Sequence, residues 1–290
     1  MAQRRRNPQT VFEKGWFRWL ASHGMELIDL GHLEHVAERE ADLVENLLVE
    51  LLDRERNGDT SFAEALGFIE FCRQHLPESS AQIYQDLWVL YMTGGKRAGY
   101  FVEFGACDGV SISNTLLLER SFGWKGILAE PNPFWHDALA RNRSAEVDHR
   151  CVYSCSGETL AMQCVTSEPE LSRIDRIVPN DVHEKEGHRL ESKVVSVPTV
   201  SLLDLLDSHS APFRIDYMSV DTEGSELEIL QAFDFTRYDI GLLTVEHAGE
   251  TEKRDAIRTL MADAGYSLWH PIISRWDDWF FRSSPASEGA

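Results

Sequence analysis

Residues Tyr100 to Gly109 read YFVEFGACDG: a short apolar run ends in an acid, then passes two glycines before the helix-like segment Ser113 to Arg120. This is the pattern of a strand entering a strand-to-helix turn. Glycine tolerates the unusual dihedrals of such a turn and carries no Cβ, so backbone can approach a bound nucleoside. The spacing Glu-x-Gly-x-x-x-Gly differs from the Gly-x-Gly-x-x-Gly fingerprint, which rests a pyrophosphate on a helix N-terminus. Cys107 takes the middle position and Asp108 follows it. An acid there repels a pyrophosphate but suits a cofactor with a cationic sulfonium, an ammonium group and ribose hydroxyls. These residues point to S-adenosylmethionine; the alternative is a purely structural turn.

Working outward, NTLLLERSFG reads as a helix, and GWKGILAEPNP brings a second apolar run to Glu130, 27 positions beyond Glu103. Right-handed helical crossovers bring the C-terminal ends of parallel strands to one edge, so Glu103 and Glu130 are expected side by side. Pro131 and Pro133 restrict how the chain leaves that strand. In RIDYMSVDTEGSELEIL a third strand over Tyr217 to Val220 ends at Asp221, and Gly224 breaks the chain before the next helix. Asp221, Glu223 and Glu226 form an acidic cluster, part of which helix capping explains. IGLLTVEHAG then ends in Glu246 and His247.

Together FVEFGACDG, the SNT of Ser113 to Thr115, GWKGILAEPNP, DYMSVDTEGSELEIL and TVEH resemble the FkbM family of S-adenosylmethionine-dependent methyltransferases, over roughly residues 80 to 282. The resemblance implies a class I methyltransferase fold: Rossmann-like α/β, a mostly parallel sheet with an antiparallel C-terminal edge hairpin, preceded by an N-terminal helical unit. It also implies O-methyl transfer to a hydroxyl of a sugar, glycan or natural product, without naming the acceptor. Carried over by position, Glu103, Gly105, Ala106, Asp108 and Gly109 line the methionine and ribose side of the cofactor. Glu130 holds the ribose hydroxyls, with Pro131 and Val152 beside it. Asn114 braces the turn or touches the cofactor, and Asn132 contacts adenine or caps the following helix. Cys107 departs from the asparagine or glycine expected there, and places a thiol next to the cofactor.

The chain has 290 residues, enough for one large core with a smaller accessory unit. Forty-eight acids against 28 bases give a net charge of −20, which argues against nucleic acid as a partner. Five cysteines with no CxxC pair favour reduced thiols in a cytoplasm. No membrane span and no signal-peptide h-region are expected. VFEKGWFRWLASHG fits either packing against neighbouring helices or a membrane surface.

Residues 11 to 93 read as helices, LEHVAEREADLVENLLVELLDRER carrying an apolar stripe opposite acids. The expected organisation is a helical region over 1–95, with the potential to form a homodimer contact, a methyltransferase domain over 96–283, and a flexible tail over 284–290. Within it, alternation gives strand 100–104, helix 113–121, strand 126–130, helix 133–142 and strand 148–154, hence a parallel sheet. Residues 156–196 are too long for a plain connection and are expected to cover the substrate. His183 and His188 lie there with no third ligand at metal spacing. VSVPTVSLLDLLDSH restores a strand and helix, and YSLWHPIISRWDDWFFR reads as two strands joined by a reversal.

Methyl transfer from a sulfonium to an alcohol is an in-line displacement that needs alignment and removal of the hydroxyl proton. Asp221, Glu223, Glu246 and His247 sit where acceptor and methyl group are expected to meet, with His247 or Asp221 as the base. An alternative has Asp221 and Glu246 binding Mg²⁺, a hard cation that prefers oxygen ligands. Two competing functions are a non-catalytic S-adenosylmethionine-binding fold with a helical protein-interaction module, and a nicotinamide oxidoreductase. The missing dinucleotide fingerprint and Asp108 disfavour the latter.

Overall fold

The computed structural model describes residues 56, 61–271 and 273–282. The helices expected over 11–55, and with them the homodimer contact and the amphipathic segment, lie outside the described residues. From Ala65 onward the chain forms one compact unit, so the boundary expected at residue 95 falls inside it. The reason is packing. Helices α1 (Ser61–His75) and α2 (Gln85–Met92) bury Phe68, Leu87 and Trp88 against aromatic residues near the C-terminus. The Trp88 and Trp279 rings lie 5.1 Å apart, and Phe68 meets Trp269 edge-on at 5.1 Å.

The central sheet contains β1 (Tyr100–Phe104), β2 (Lys125–Ala129), β3 (Glu146–Asp148), β8 (Arg214–Val220), β9 (Asp239–Glu246), β10 (Tyr266–Trp269) and β11 (Asp277–Arg282). Its order is β10-β11-β9-β8-β1-β2-β3. The pairs from β3 through β9 are parallel, and β11 runs antiparallel to both its neighbours. This is the class I methyltransferase architecture, with its antiparallel hairpin at the edge. Alternation along the strands feeds two cores. Phe101, Leu128, Tyr217 and Leu242 join the tryptophan cluster, while Val102, Ile127, Met218 and Leu243 join the other. Successive strand residues point to opposite faces, so helices cover both.

Helices α3 (Leu116–Phe122) and α4 (His136–Asn142) follow β1 and β2, starting three residues later than expected. Ser113 to Thr115 are instead held by the Glu103 carboxylate, and the chain through Pro133 turns before helical geometry begins. The strand expected over 148–154 divides. β3 ends the central sheet, whereas β4 (Cys151–Tyr153) pairs with β7 (Ser192–Ser201) in a second sheet. Asp148 accepts a hydrogen bond from the Arg150 backbone N–H at 2.8 Å, turning the chain between them. The second sheet has the order β4-β7-β5-β6, with β5 (Thr159–Val165) and β6 (Arg173–Ile174). The expected insertion is therefore a folded cover built on the long antiparallel pair β5–β7, with α5 (Val182–Glu186) between β6 and β7. Helices α6 (Leu202–Ser208), α7 (Glu226–Gln231) and α8 (Thr251–Asp263) complete the helices among the described residues.

Candidate active site

Strand register explains which acids meet. Phe104 pairs with Ala129, Glu103 with Ser219, and Val220 with Val245. One or two residues further along each strand, Gly105, Glu130, Asp221 and Glu246 therefore stand at one level on the carboxyl edge. All four line a cavity of about 790 Å³ between that edge and the cover. Glu103 lies two residues lower and does not reach it. Its buried carboxylate accepts bonds from the Asn114 N–H at 2.7 Å and from the Ser113 and Thr115 hydroxyls. The expectation that Glu103 stands beside Glu130 on the rim is corrected accordingly: Glu103 clamps the turn from beneath.

The glycines are constrained by the protein itself. Gly105 has φ +69°, and a Cβ there would lie 2.2 Å from the Asp221 carbonyl oxygen. Gly109 has φ +76°, and its Cβ would meet Arg143 and Leu139 at 2.6 and 2.7 Å. Both are required by close approach of protein to protein. Cys107 has φ +47°, in the left-handed region that glycine and asparagine tolerate best, which is why those residues suit this position. Cys107 lines the cavity, but burial, with the Glu130 carboxylate second, holds its thiol pKa well above the usual value. A protonated thiol is a poor nucleophile.

Of the other expected cofactor residues, Pro131 and Val152 line the cavity. Ala106 is buried, and it does not line the cavity. Asp108 accepts the Val110 and Ser111 N–H groups at 2.8 and 2.7 Å, capping the turn from its outer side. Asn114 braces the turn, donating to the Ser219 hydroxyl at 2.8 Å. Asn132 accepts the Phe134 N–H at 3.1 Å and donates to Ser172 on the cover at 3.1 Å. Glu130 accepts the Cys107 and Asn132 N–H groups at 2.9 and 2.8 Å, which fixes its carboxylate on the cavity wall. Burial raises its pKa to about 7 against those bonds.

Asp221, Glu223 and Glu246 bring carboxylate oxygens within 4.8 Å of one another. Burial, then the neighbouring carboxylates, raises Asp221 to about 7 and Glu223 to about 8, and pushes Glu246 well above the usual range. Glu246 Oε2 is buried without a hydrogen-bond partner. Glu226 raises all three acids but is itself held differently. Its carboxylate accepts the Thr222 and Gly224 N–H groups at 2.8 and 3.1 Å, so capping accounts for it. Burial opposes its ionisation, yet the Lys253 ammonium 2.5 Å away holds its pKa low.

His247 does not line the cavity. It is buried beside Asp278, 3.9 Å away, which Arg254 and Arg258 also contact. Burial lowers its pKa to about 4. The two candidate bases are thus separated, and only Asp221 faces the cavity.

Sequence reasoning missed several contributors. Buried Arg143 ties the turn together, donating to Thr115, Ser113, the Gly109 carbonyl and Glu119. Buried Arg189 joins Asp181 at 2.8 and 2.9 Å to Glu223, fastening the cover to the acidic cluster. Asp277, paired with Glu246 in the sheet, is raised to about 8 by burial, with Asp221 the next cause. Gln85 donates to it at 2.9 Å, while Asp86 accepts the Ser79 hydroxyl and the Ser80 N–H at 2.6 and 3.0 Å and does not line the cavity. Arg143, Arg189 and Asp277 had no local sequence signal, because they act on partners distant in the chain, whereas Gln85 and Asp86 resemble the family's position near the cofactor. The cover also brings Glu168 to His183 and His188, supplying the third metal-type donor that spacing alone had not revealed.

The methyltransferase FkbM domain model matches residues 103–268, more than half of the chain. Comparison with curated proteins gives no match. Among solved structures, precorrin-6y C5,15-methyltransferase from Geobacter metallireducens is 13% identical over 68% of this chain and 87% of its own, with a TM-score of 0.36. The METTL16 methyltransferase domain is 15% identical over 68% of this chain and 66% of its own, also at 0.36.

Proposed function

This chain belongs to the FkbM methyltransferase family, and from that premise we propose that it is an S-adenosylmethionine-dependent O-methyltransferase acting on a hydroxyl of a sugar, glycan or natural product. The observation that carries the reading is the row of Gly105, Glu130, Asp221 and Glu246 along one cavity wall. The cavity falls within the ~300–1,000 Å³ range of small-molecule sites. Its carboxylates complement a cationic cofactor, and Glu130 retains acceptor capacity for ribose hydroxyls after two backbone bonds. When bound, S-adenosylmethionine supplies an electrophilic methyl group on a sulfonium.

Glu130, Gly105, Pro131 and Val152 hold the cofactor side in this reading. Asp221 takes the acceptor's hydroxyl proton, since a carboxyl raised to about 7 is matched to proton transfer near neutrality. Burial, then the Glu226 carboxylate, sustains that raised value, and the cover excludes water. Mg²⁺ is a finer alternative that the all-oxygen donor set of Asp221, Glu246 and Glu223 fits. There it would orient an acceptor diol and favour its ionisation. The net charge of −20 favours a small-molecule or saccharide acceptor over nucleic acid.

Calorimetric titration with S-adenosylmethionine, with NADH as the control, tests cofactor identity. Binding of NADH alone would overturn the reading. Asp221→Asn is expected to keep cofactor affinity within a few-fold while abolishing methyl transfer to a panel of hydroxylated acceptors. Unchanged turnover would remove Asp221 from the proton-transfer step.

A further inference from the structure

The cover carries a second cluster of donors, chemically different from the carboxylates at the sheet edge. Glu168 precedes the short turn Pro169–Leu171, His183 lies on α5, and His188 follows that helix after Gly187. One donor atom from each lies within 4.8 Å of the others. Ligands about 2.1 Å from a tetrahedral ion stand about 3.4 Å apart, so metal binding draws the three inward by about an ångström. We propose that Glu168, His183 and His188 bind a divalent transition metal of the zinc type, which closes the cover on itself at the cavity rim.

Three observations support this assignment. His183 Nδ1 is buried without a hydrogen-bond partner. His188 has Nδ1 3.0 Å from Glu168 and Nε2 3.2 Å from Glu186. The second of these is the carboxylate–histidine contact that orients a ligating imidazole and raises its basicity, leaving the other ring nitrogen for the metal. Glu168 and His183 also line the cavity, so the site lies at its rim. Two imidazoles and one carboxylate suit zinc better than magnesium, and leave a coordination position for water or an acceptor oxygen. The metal would join the segment before β6 to the helix after it, which Arg189 and Asp181 already hold beside Glu223.

The test uses the full, untagged chain stripped with a chelator, titrated with Zn²⁺ by calorimetry and with Co²⁺ by visible absorption. One ion per chain is expected, with the intense visible bands of a low-coordinate Co²⁺ site. His188→Ala is expected to weaken Zn²⁺ binding by at least about 100-fold, and Glu186→Gln by about 10-fold. Asp221→Asn is expected to leave it unchanged. Circular dichroism checks that each variant folds, and the Co²⁺ spectrum of the unaltered chain decides if His188→Ala does not. Absence of binding by the unaltered chain, equal binding by a folded His183→Ala/His188→Ala variant, or loss of binding in Asp221→Asn would overturn the assignment. The readout is metal occupancy, so the result is independent of the proposed methyl transfer.

Discussion

The backbone conformation of Gly105 links turn and catalytic edge in a single residue. Its φ of +69° lies in the left-handed region, and any Cβ there would collide with the Asp221 carbonyl oxygen. Gly105→Ala is therefore expected to cost at least about 1–2 kcal/mol for the backbone conformation alone, more for the collision, as read by urea unfolding. Cofactor affinity should fall with it, because relieving the collision displaces the Asp221 backbone. YFVEFGACDG announced the turn at this position, but assigned its glycines to cofactor approach. The atoms that crowd them belong to Asp221, Arg143 and Leu139, residues from far along the chain.

Between elements, α7 and α8 meet through a buried ion pair. Glu226 opens α7 and is fully buried, and Lys253 on α8 reaches it at 2.5 Å with a side chain 12% exposed. Removing one member of such a pair leaves an uncompensated charge, so Lys253→Met is expected to destabilise the fold by about 3–5 kcal/mol in denaturant titration. Adding Glu226→Gln to that variant should recover much of the loss, because it removes the unpaired charge and keeps an acceptor for the Thr222 and Gly224 N–H groups. The acids of DTEGSELEIL were visible in sequence. Their separation into the capping Glu226 and the cavity-facing Asp221 and Glu223 depends on where α8 places its lysine.

Across the whole molecule, buried acids with raised pKa values set the response to pH. Asp221 and Glu130 titrate near 7, and Glu223 and Asp277 near 8, well above the 3.8 to 4.5 of free carboxyls. The folded state thus holds more protons than the unfolded state across this interval, and stability falls as pH rises through it. Acids held low work in the opposite sense: burial opposes ionisation of Asp148, but Arg150 and His209 hold it at about 2, and its contribution is lost as pH falls toward that value. Thermal melts of the ligand-free protein should show highest stability near about pH 5 and a decline toward pH 8, with a shallower decline in Asp221→Asn. A flat profile would contradict burial of these acids. The sequence by itself determined the alternation of strands and helices, the sheet-edge positions of Glu130, Asp221 and Glu246, and the antiparallel hairpin, because apolar periodicity and turn residues act over a few positions. Only the tertiary structure decided that Glu103 clamps a turn, that His247 faces Asp278, and that Arg189 and Glu168 belong to the site. Each of those depends on strand register or on packing between segments distant in sequence, and local pattern carries no record of either.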